Sequence, residues 1–320
     1  MGCKMRTVRA FDMFCGGGGS SLGASLAGAS IAGGVDLWKI ATDAFKANFP
    51  HATVFNEDLR HVDPRKTLKE TGPIDLLLSS PECTHHTCAR GKMPRSEESK
   101  NTAFQVIRFA QALRPRWVVL ENVVHMRPWA RYPELKHALK NLGYFVREQV
   151  LDASQFGVPQ RRRRLFLMAD KIRMPPEIVP FVIPHRSARE VLDPHGTWPM
   201  NPLFTPRRAN GTLERAIRAM NELGKDKSFL IVYYGTDGAG GWQSLDAPLR
   251  TVTTIDRFAL VEPRPDGQMM RMLQPEEIRR AMGFPDNYVF PDATRRNRIK
   301  LLGNAVCPPV MASILRTLLT

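Results

Sequence analysis

Hydrophobic positions in the first half of the chain follow two alternating rhythms. Short apolar runs at Val8–Phe14, Ile31–Leu37, Thr53–Asn56, Ile74–Leu78 and Trp117–Leu120 read as strands bounded by turn residues. Between them, Ser20–Ala29, Ile40–Asn48, Asn101–Leu113 and a stretch near Glu134–Asn141 carry helical patterns. The second of these stops at Phe49-Pro50; the third draws its apolar positions from Phe104, Ile107 and Phe109 and closes at Arg114-Pro115. Phe145–Val150 and Leu165–Met168 complete the strands. Repeated strand–helix units predict an α/β fold, a mostly parallel, doubly wound sheet with helices on both faces.

After about Arg173 the pattern changes. Met174–Ser187 is proline-rich, and helical periodicity up to Gly267 is confined to Leu213–Leu223. Tyr233–Gly241 is a glycine-rich loop, and Leu249–Ile255 looks like a strand. This region reads as a smaller, irregular second domain. Pro275–Met282 and Val310–Leu318 are helical again and return to the first domain. The expected division is 1–183, 184–272 and 273–320.

The chain has 320 residues, 43% of them hydrophobic, with a formal net charge of +15. That charge predicts a polyanionic partner, with nucleic acid ahead of an anionic membrane surface. No apolar run approaches the length needed to cross a bilayer. Gly2-Cys3 hints at lipidation, but Arg6 stands where Ser or Thr is required. The five scattered cysteines predict reduced thiols in a cytosol.

Gly16–Gly19 fall directly between a strand and a helix, where bare backbone approaches a ligand and the helix N-terminus offers free N–H groups. Asp36 closes the next strand, about twenty residues on, the distance at which an acid commonly meets ribose hydroxyls. A glycine turn with a solvated Asp36 is the plainer alternative. The run is not a G-x-G-x-x-G pattern, and no Gly-Lys-Ser/Thr follows to cradle phosphates. S-adenosylmethionine, an adenosine cofactor without phosphate, fits better, with Asp58 placed to accept from an adenine amino group.

The strand Ile74–Leu78 breaks at Ser79-Ser80-Pro81 and delivers Cys83 into a loop. A thiol at the carboxyl end of a strand lies where α/β sheets place their chemistry. Five stretches then fall in order: FCGGGG from Phe14, Cys83 after its strand, Glu121-Asn122-Val123, GVPQRRRR from Gly157 to Arg164, and GNAV from Gly303. In order and spacing they resemble the DNA cytosine-5 methyltransferase family, whose variable target-recognition domain would occupy about Ile183–Gln243.

The resemblance implies a Rossmann-like methyltransferase sheet and a smaller target-recognition domain. It implies Cys83 as nucleophile at carbon 6 of cytosine, Glu121 at N3, Arg164 at the base oxygen, and Arg162 holding the carboxylate or a phosphate. S-adenosylmethionine would be held by Phe14, Gly16, Gly17, Gly18, Gly19, Asp36, Leu37, Asp58, Leu59, Asn304, Ala305 and Val306. DNA contacts would come from Thr84, Thr87, Arg90, Arg95, Gln160 and Thr251, with Thr84–Arg95 as a lid over a flipped base. The implied partner is double-stranded DNA, met by a monomer without a metal, in the cytoplasm of a bacterial or phage-infected cell. A tRNA methyltransferase of the same family and a DNA-binding member with little turnover are the rivals. Four positions depart from the family pattern: Glu82 precedes Cys83 where proline is usual, Thr84 and Thr87 stand where Gln and Ser are more usual, and Gly17 replaces a larger apolar residue. Cys83, His85, His86 and Cys88 suggest zinc, but no second pair sits at ligand spacing. Cys15, Cys88 and Cys307 read as structural.

Overall fold

The apolar runs of the first half assemble into one seven-stranded sheet in a computed structural model that describes residues 7–81, 102–180, 184–234, 240–291 and 293–320. β1 (Arg9–Asp12), β2 (Ser30–Val35), β3 (Thr53–Phe55), β4 (Leu76–Ser79) and β5 (Trp117–Asn122) run parallel. β6 (Phe145–Asp152) and β7 (Arg163–Asp170) pair antiparallel with each other, and β7 lies antiparallel against β5. The order is β3-β2-β1-β4-β5-β7-β6.

Successive strand residues feed opposite faces, as the pleat requires. Leu76, Leu78, Trp117 and Val119 join one core with Val310, Met311, Ile314 and Leu315 from the C-terminal helix. Leu77, Val118 and Leu120 join the other, with Val106, Phe109, Leu135 and Leu139. Both faces are therefore covered, which is why these strands read as unbroken apolar runs. The helices involved are α1 (Gly19–Leu26), α2 (Lys39–Asn48), α3 (Pro64–Thr71), α4 (Gln105–Leu113) and α5 (Tyr132–Asn141). Of these, α3 is not predicted by periodicity. Its signals are terminal: Asp63 caps it by accepting from the Arg65 N–H, and Pro64 opens it.

The second half departs from expectation. In place of an irregular region stands a five-stranded antiparallel sheet of β8 (Asn201–Pro202), β9 (Phe229–Val232), β10 (Trp242–Ser244), β11 (Phe258–Arg264) and β12 (Gly267–Met272), in the order β10-β9-β11-β12-β8. α6 (Asn210–Leu223) covers it, setting Ala216, Ala219 and Met220 on Phe229, Ile231, Ala259 and Val261. Leu249–Ile255 is not a strand of either sheet. Its backbone turns instead to Pro159 and Arg161, which exchange hydrogen bonds with Leu249 at 2.9 and 2.8 Å.

α7 (Pro275–Ala281), α8 (Arg295–Asn304) and α9 (Pro308–Leu318) bring the chain back to the first sheet. Arg295–Leu318 does meet the length and composition of a membrane span, against the sequence expectation, yet 78% of its apolar window is buried inside the protein. The strand order reverses between β1 and β4, so a crevice opens at their carboxyl ends, where α/β sheets bind ligands.

Candidate active site

A cavity of about 690 Å³ occupies that crevice. β1 leads into its glycine loop, β2 ends at Asp36, and β4 delivers Ser80 and Pro81 to its wall. β5 contributes Glu121 from inside the strand, and β7 contributes Arg164.

The glycine loop is shaped by close packing. Gly19 lies so near the C-terminal segment that a Cβ there would sit 2.2 Å from the Val306 carbonyl oxygen. At Gly17 a Cβ would meet the Phe290 ring at 3.2 Å and Leu301 at 3.6 Å. The departure at Gly17 thus has a physical counterpart: an aromatic ring from the far end of the chain takes the space of the larger side chain.

Asp36 is held in place by the Gly16 N–H at 2.9 Å and the Trp38 N–H at 2.8 Å. Burial raises its pKa, while those two donors and the nearby Lys300 oppose the rise. Leu37, 68% exposed, presents an apolar face to the cavity. Lys300 lies over the Trp38 ring, its Nζ 4.3 Å from the centroid. Asp58 reaches the wall with its carboxylate bound by Arg60, the closest contact 2.6 Å, and that hydrogen bonding lowers its pKa to about 2.

At the opposite end, Glu121 is buried and its pKa is raised by desolvation. Arg164, with Nε 3.1 Å from Oε1, and then Arg162 pull it back down. Burial thus favours its acid form, while the two arginines favour the anion. The exit of β4 is pinned from two sides: Asn122 donates to the Pro81 carbonyl at 3.2 Å, and the Ser20 and Ser80 hydroxyls lie 3.4 Å apart. Cys15 and Cys307 are buried, and burial pushes both thiols up, Cys307 to about 11, so neither supplies a thiolate.

Of the cofactor residues read from the sequence, Phe14, Gly16, Gly17, Gly19, Asp36, Leu37, Asp58, Leu59, Asn304, Ala305 and Val306 line this one cavity; Gly18 lies outside its lining, beneath Tyr288. Cys83, Thr84, Thr87, Arg90 and Arg95 fall outside the described residues. Arg162 donates to backbone carbonyls, Nη1 to Val252 O at 2.9 Å and Nη2 to Gly303 O and Ala305 O at 2.8 and 3.0 Å, while its charge also acts on the Glu121 carboxylate. One expectation needs correction. Gln160 offers no face to DNA, being wholly buried, with its amide donating to the Ala281 carbonyl and accepting from the Val252 N–H. Thr251 lies beside this seam, its hydroxyl donating to the Arg161 carbonyl at 2.8 Å. Trp38 and Lys300 were missed, although an aromatic residue two positions after the acid that follows a strand was a usable signal.

Residues 8–320 match the family described as C-5 cytosine-specific DNA methylase. The chain belongs to that family. Among its relatives, the type II methyltransferase M.HgiDI of Herpetosiphon aurantiacus is 32% identical over 164 residues, 51% of this chain and 52% of that protein. The DNA (cytosine-5)-methyltransferase 1 of Gallus gallus is 31% identical over 195 residues, 54% of this chain and 13% of that one. The chain thus spans about half the length of the type II relatives it matches. In fold it is similar to a mutant of Spodoptera frugiperda DNMT2, with a TM-score of 0.72, 17% identity and coverage of 98% of this chain and 100% of that one.

Proposed function

We propose that the protein transfers a methyl group from S-adenosylmethionine to carbon 5 of a flipped-out cytosine in double-stranded DNA. The carrying observation is one cavity that holds the glycine loop, Asp36 and Asn304–Val306 at one end and the Glu121–Arg164 pair at the other. Its lining suits a cationic nucleoside cofactor. Asp36, Glu57 and Asp58 gather at the wall of an otherwise strongly basic chain, and Leu37 offers an apolar platform for a purine. When bound, S-adenosylmethionine supplies an electrophilic methyl group. Asp36 would hold its ribose, Leu37 and Leu59 would flank its adenine beside Asp58, and Asn304–Val306 would close over it.

The chain's own residues activate the base. Carbon 5 of cytosine is a weak nucleophile, so the Cys83 thiolate adds to carbon 6 and pushes its electron pair into the ring. Glu121, in its acid form, donates to N3 and stabilises the charge that develops there; Arg164 orients Glu121 and reaches the base oxygen. After methylation a base removes the carbon 5 proton, and the thiolate leaves as the double bond re-forms. Flipping the base costs a few kcal/mol, and the +15 charge supplies sequence-independent phosphate binding that helps offset it. The second sheet, with Thr251 at its seam, is the region proposed to select the site.

The test uses labelled cofactor with duplex DNA and, separately, tRNA. Label is expected in DNA; label in tRNA alone would transfer the reading to the rival branch. Duplex containing 5-fluorocytosine should trap a covalent adduct that Cys83→Ser abolishes. Equal trapping by both proteins would remove Cys83 from the mechanism. Bisulfite sequencing of DNA from an expressing host then reports the sequence context.

A further inference from the structure

We propose that Arg162 couples cofactor binding to DNA binding, acting as a positioning residue that belongs to both sites. The inference rests on the proposed function, in which Asn304–Val306 close over the cofactor and Thr251, next to the buried Val252, meets the DNA.

Arg162 is 3% exposed, and its guanidinium donates to carbonyls on two segments about fifty residues apart in sequence, Val252 on one and Gly303 and Ala305 on the other. Neither segment belongs to a sheet; Thr251–Thr253 are irregular, and Ala305 ends α8. They also touch directly. A Cβ on Gly303 would lie 2.3 Å from the Thr253 carbonyl carbon and oxygen, so the two backbones fit only because that residue is glycine.

A guanidinium is a rigid planar fork. Three carbonyls on one fork share one orientation, and a shift in either segment breaks charge-assisted hydrogen bonds where water cannot replace them. Whichever ligand fixes its segment first therefore fixes the fork, and the second ligand meets a segment already ordered. Linkage makes the effect reciprocal. The charge of Arg162 also acts on Glu121, so the same group senses both ligands beside the catalytic acid. Arg164 acts elsewhere, since it pairs with the Glu121 carboxylate and its Nη1 donates to the Arg163 carbonyl of its own strand.

The experiment measures the affinity of the full chain for a fluorescent duplex carrying its own methylation site, with and without saturating S-adenosylhomocysteine. The reciprocal titration measures S-adenosylhomocysteine with and without duplex. Each affinity ratio is taken within one protein, so a general loss of stability cancels. Wild type is expected to show equal ratios in both directions, of about tenfold within the roughly 5- to 150-fold range typical of such coupling. Arg162→Lys keeps the charge but loses the fork, and its ratio should fall below about twofold. Gly303→Ala parts the segments with Arg162 intact and should lower the ratio likewise, which covers the case in which Arg162→Lys does not fold. Unchanged ratios in the variants, or binding of both ligands by wild type without coupling, would overturn the inference alone. Absence of both ligand binding and methyl transfer in wild type would overturn the parent reading.

Discussion

Asp12, at the end of β1 beneath the glycine loop, makes the stability of the protein depend on pH with a sign opposite to that of an ordinary ion-paired acid. The residue is 1% exposed; one carboxyl oxygen accepts from the Ser21 hydroxyl at 2.8 Å, and the other, Oδ1, has no hydrogen-bond partner among the described residues. Burial raises its pKa from 3.8 to about 6, helped by the negative charge of Asp36. Because the unfolded chain gives up this proton near 3.8 and the folded chain near 6, folding becomes less favourable as pH rises through that interval and is constant above it. At about 1.36 kcal/mol per unit, the full penalty is about 3 kcal/mol. Asp12→Asn keeps the acceptor for Ser21 and cannot ionise. Urea denaturation of both proteins should show the variant gaining on wild type by about 2 kcal/mol between pH 4.5 and pH 7, whatever fixed offset the amide introduces. A difference that stays constant across that range would refute the assignment. So would a gain concentrated above pH 7, because the titration is complete by then.

Two further perturbations separate the functional roles. Arg164→Ala removes the group whose charge most depresses the Glu121 pKa, so the carboxyl should hold its proton to higher pH. The alkaline limb of the kcat–pH profile should then move upward while kcat falls by roughly 10² or more; a limb that moves downward would rule out Glu121 as the acid. Gly17→Leu drives a side chain into Phe290 and should cost about 1–3 kcal/mol in urea denaturation. Adding Phe290→Ala should recover most of that loss, and an additive double variant would show that the two residues do not share the space.

The first sheet was legible because its central strands β4 and β5 are buried on both faces, so short apolar runs alternate with helical periods. The second was not, and β12 shows why. Arg271 lies inside the fold, 9% exposed, paired with the wholly buried Glu277 at 2.7 Å. A charge on a strand ordinarily marks the solvent face, and here it is satisfied by a partner six residues on, across the change from β12 to α7 that neither a strand nor a helix period registers. Leu249–Ile255 failed the other way: it carries strand-forming residues, but its backbone bonds run to the arginine segment. In the site, residues that end strands were readable, Asp36 among them, and Glu121 just inside the end of β5, because strand ends fix position. Gln160 was misread because polar side chains in a basic run look solvent-facing, and the backbone partners of Arg162 were hidden for the same reason. Their occupation by the carbonyls of Ala281, Val252, Gly303 and Ala305 is a property of tertiary structure alone.

The walls of the cavity come from both extremes of the chain. The Tyr288 hydroxyl donates to the Gly17 carbonyl across 271 positions, Arg316 reaches the Leu26 carbonyl across 290, and Val306 lies against Gly19. During synthesis the glycine loop leaves the ribosome long before the residues that complete it. A nascent chain stalled between Asn122 and Gly303 carries Glu121 and the β4 exit but no closed cavity wall. The cavity is therefore complete only once Asn304–Val306 have been made, and products truncated before Gly303 are expected to lack it.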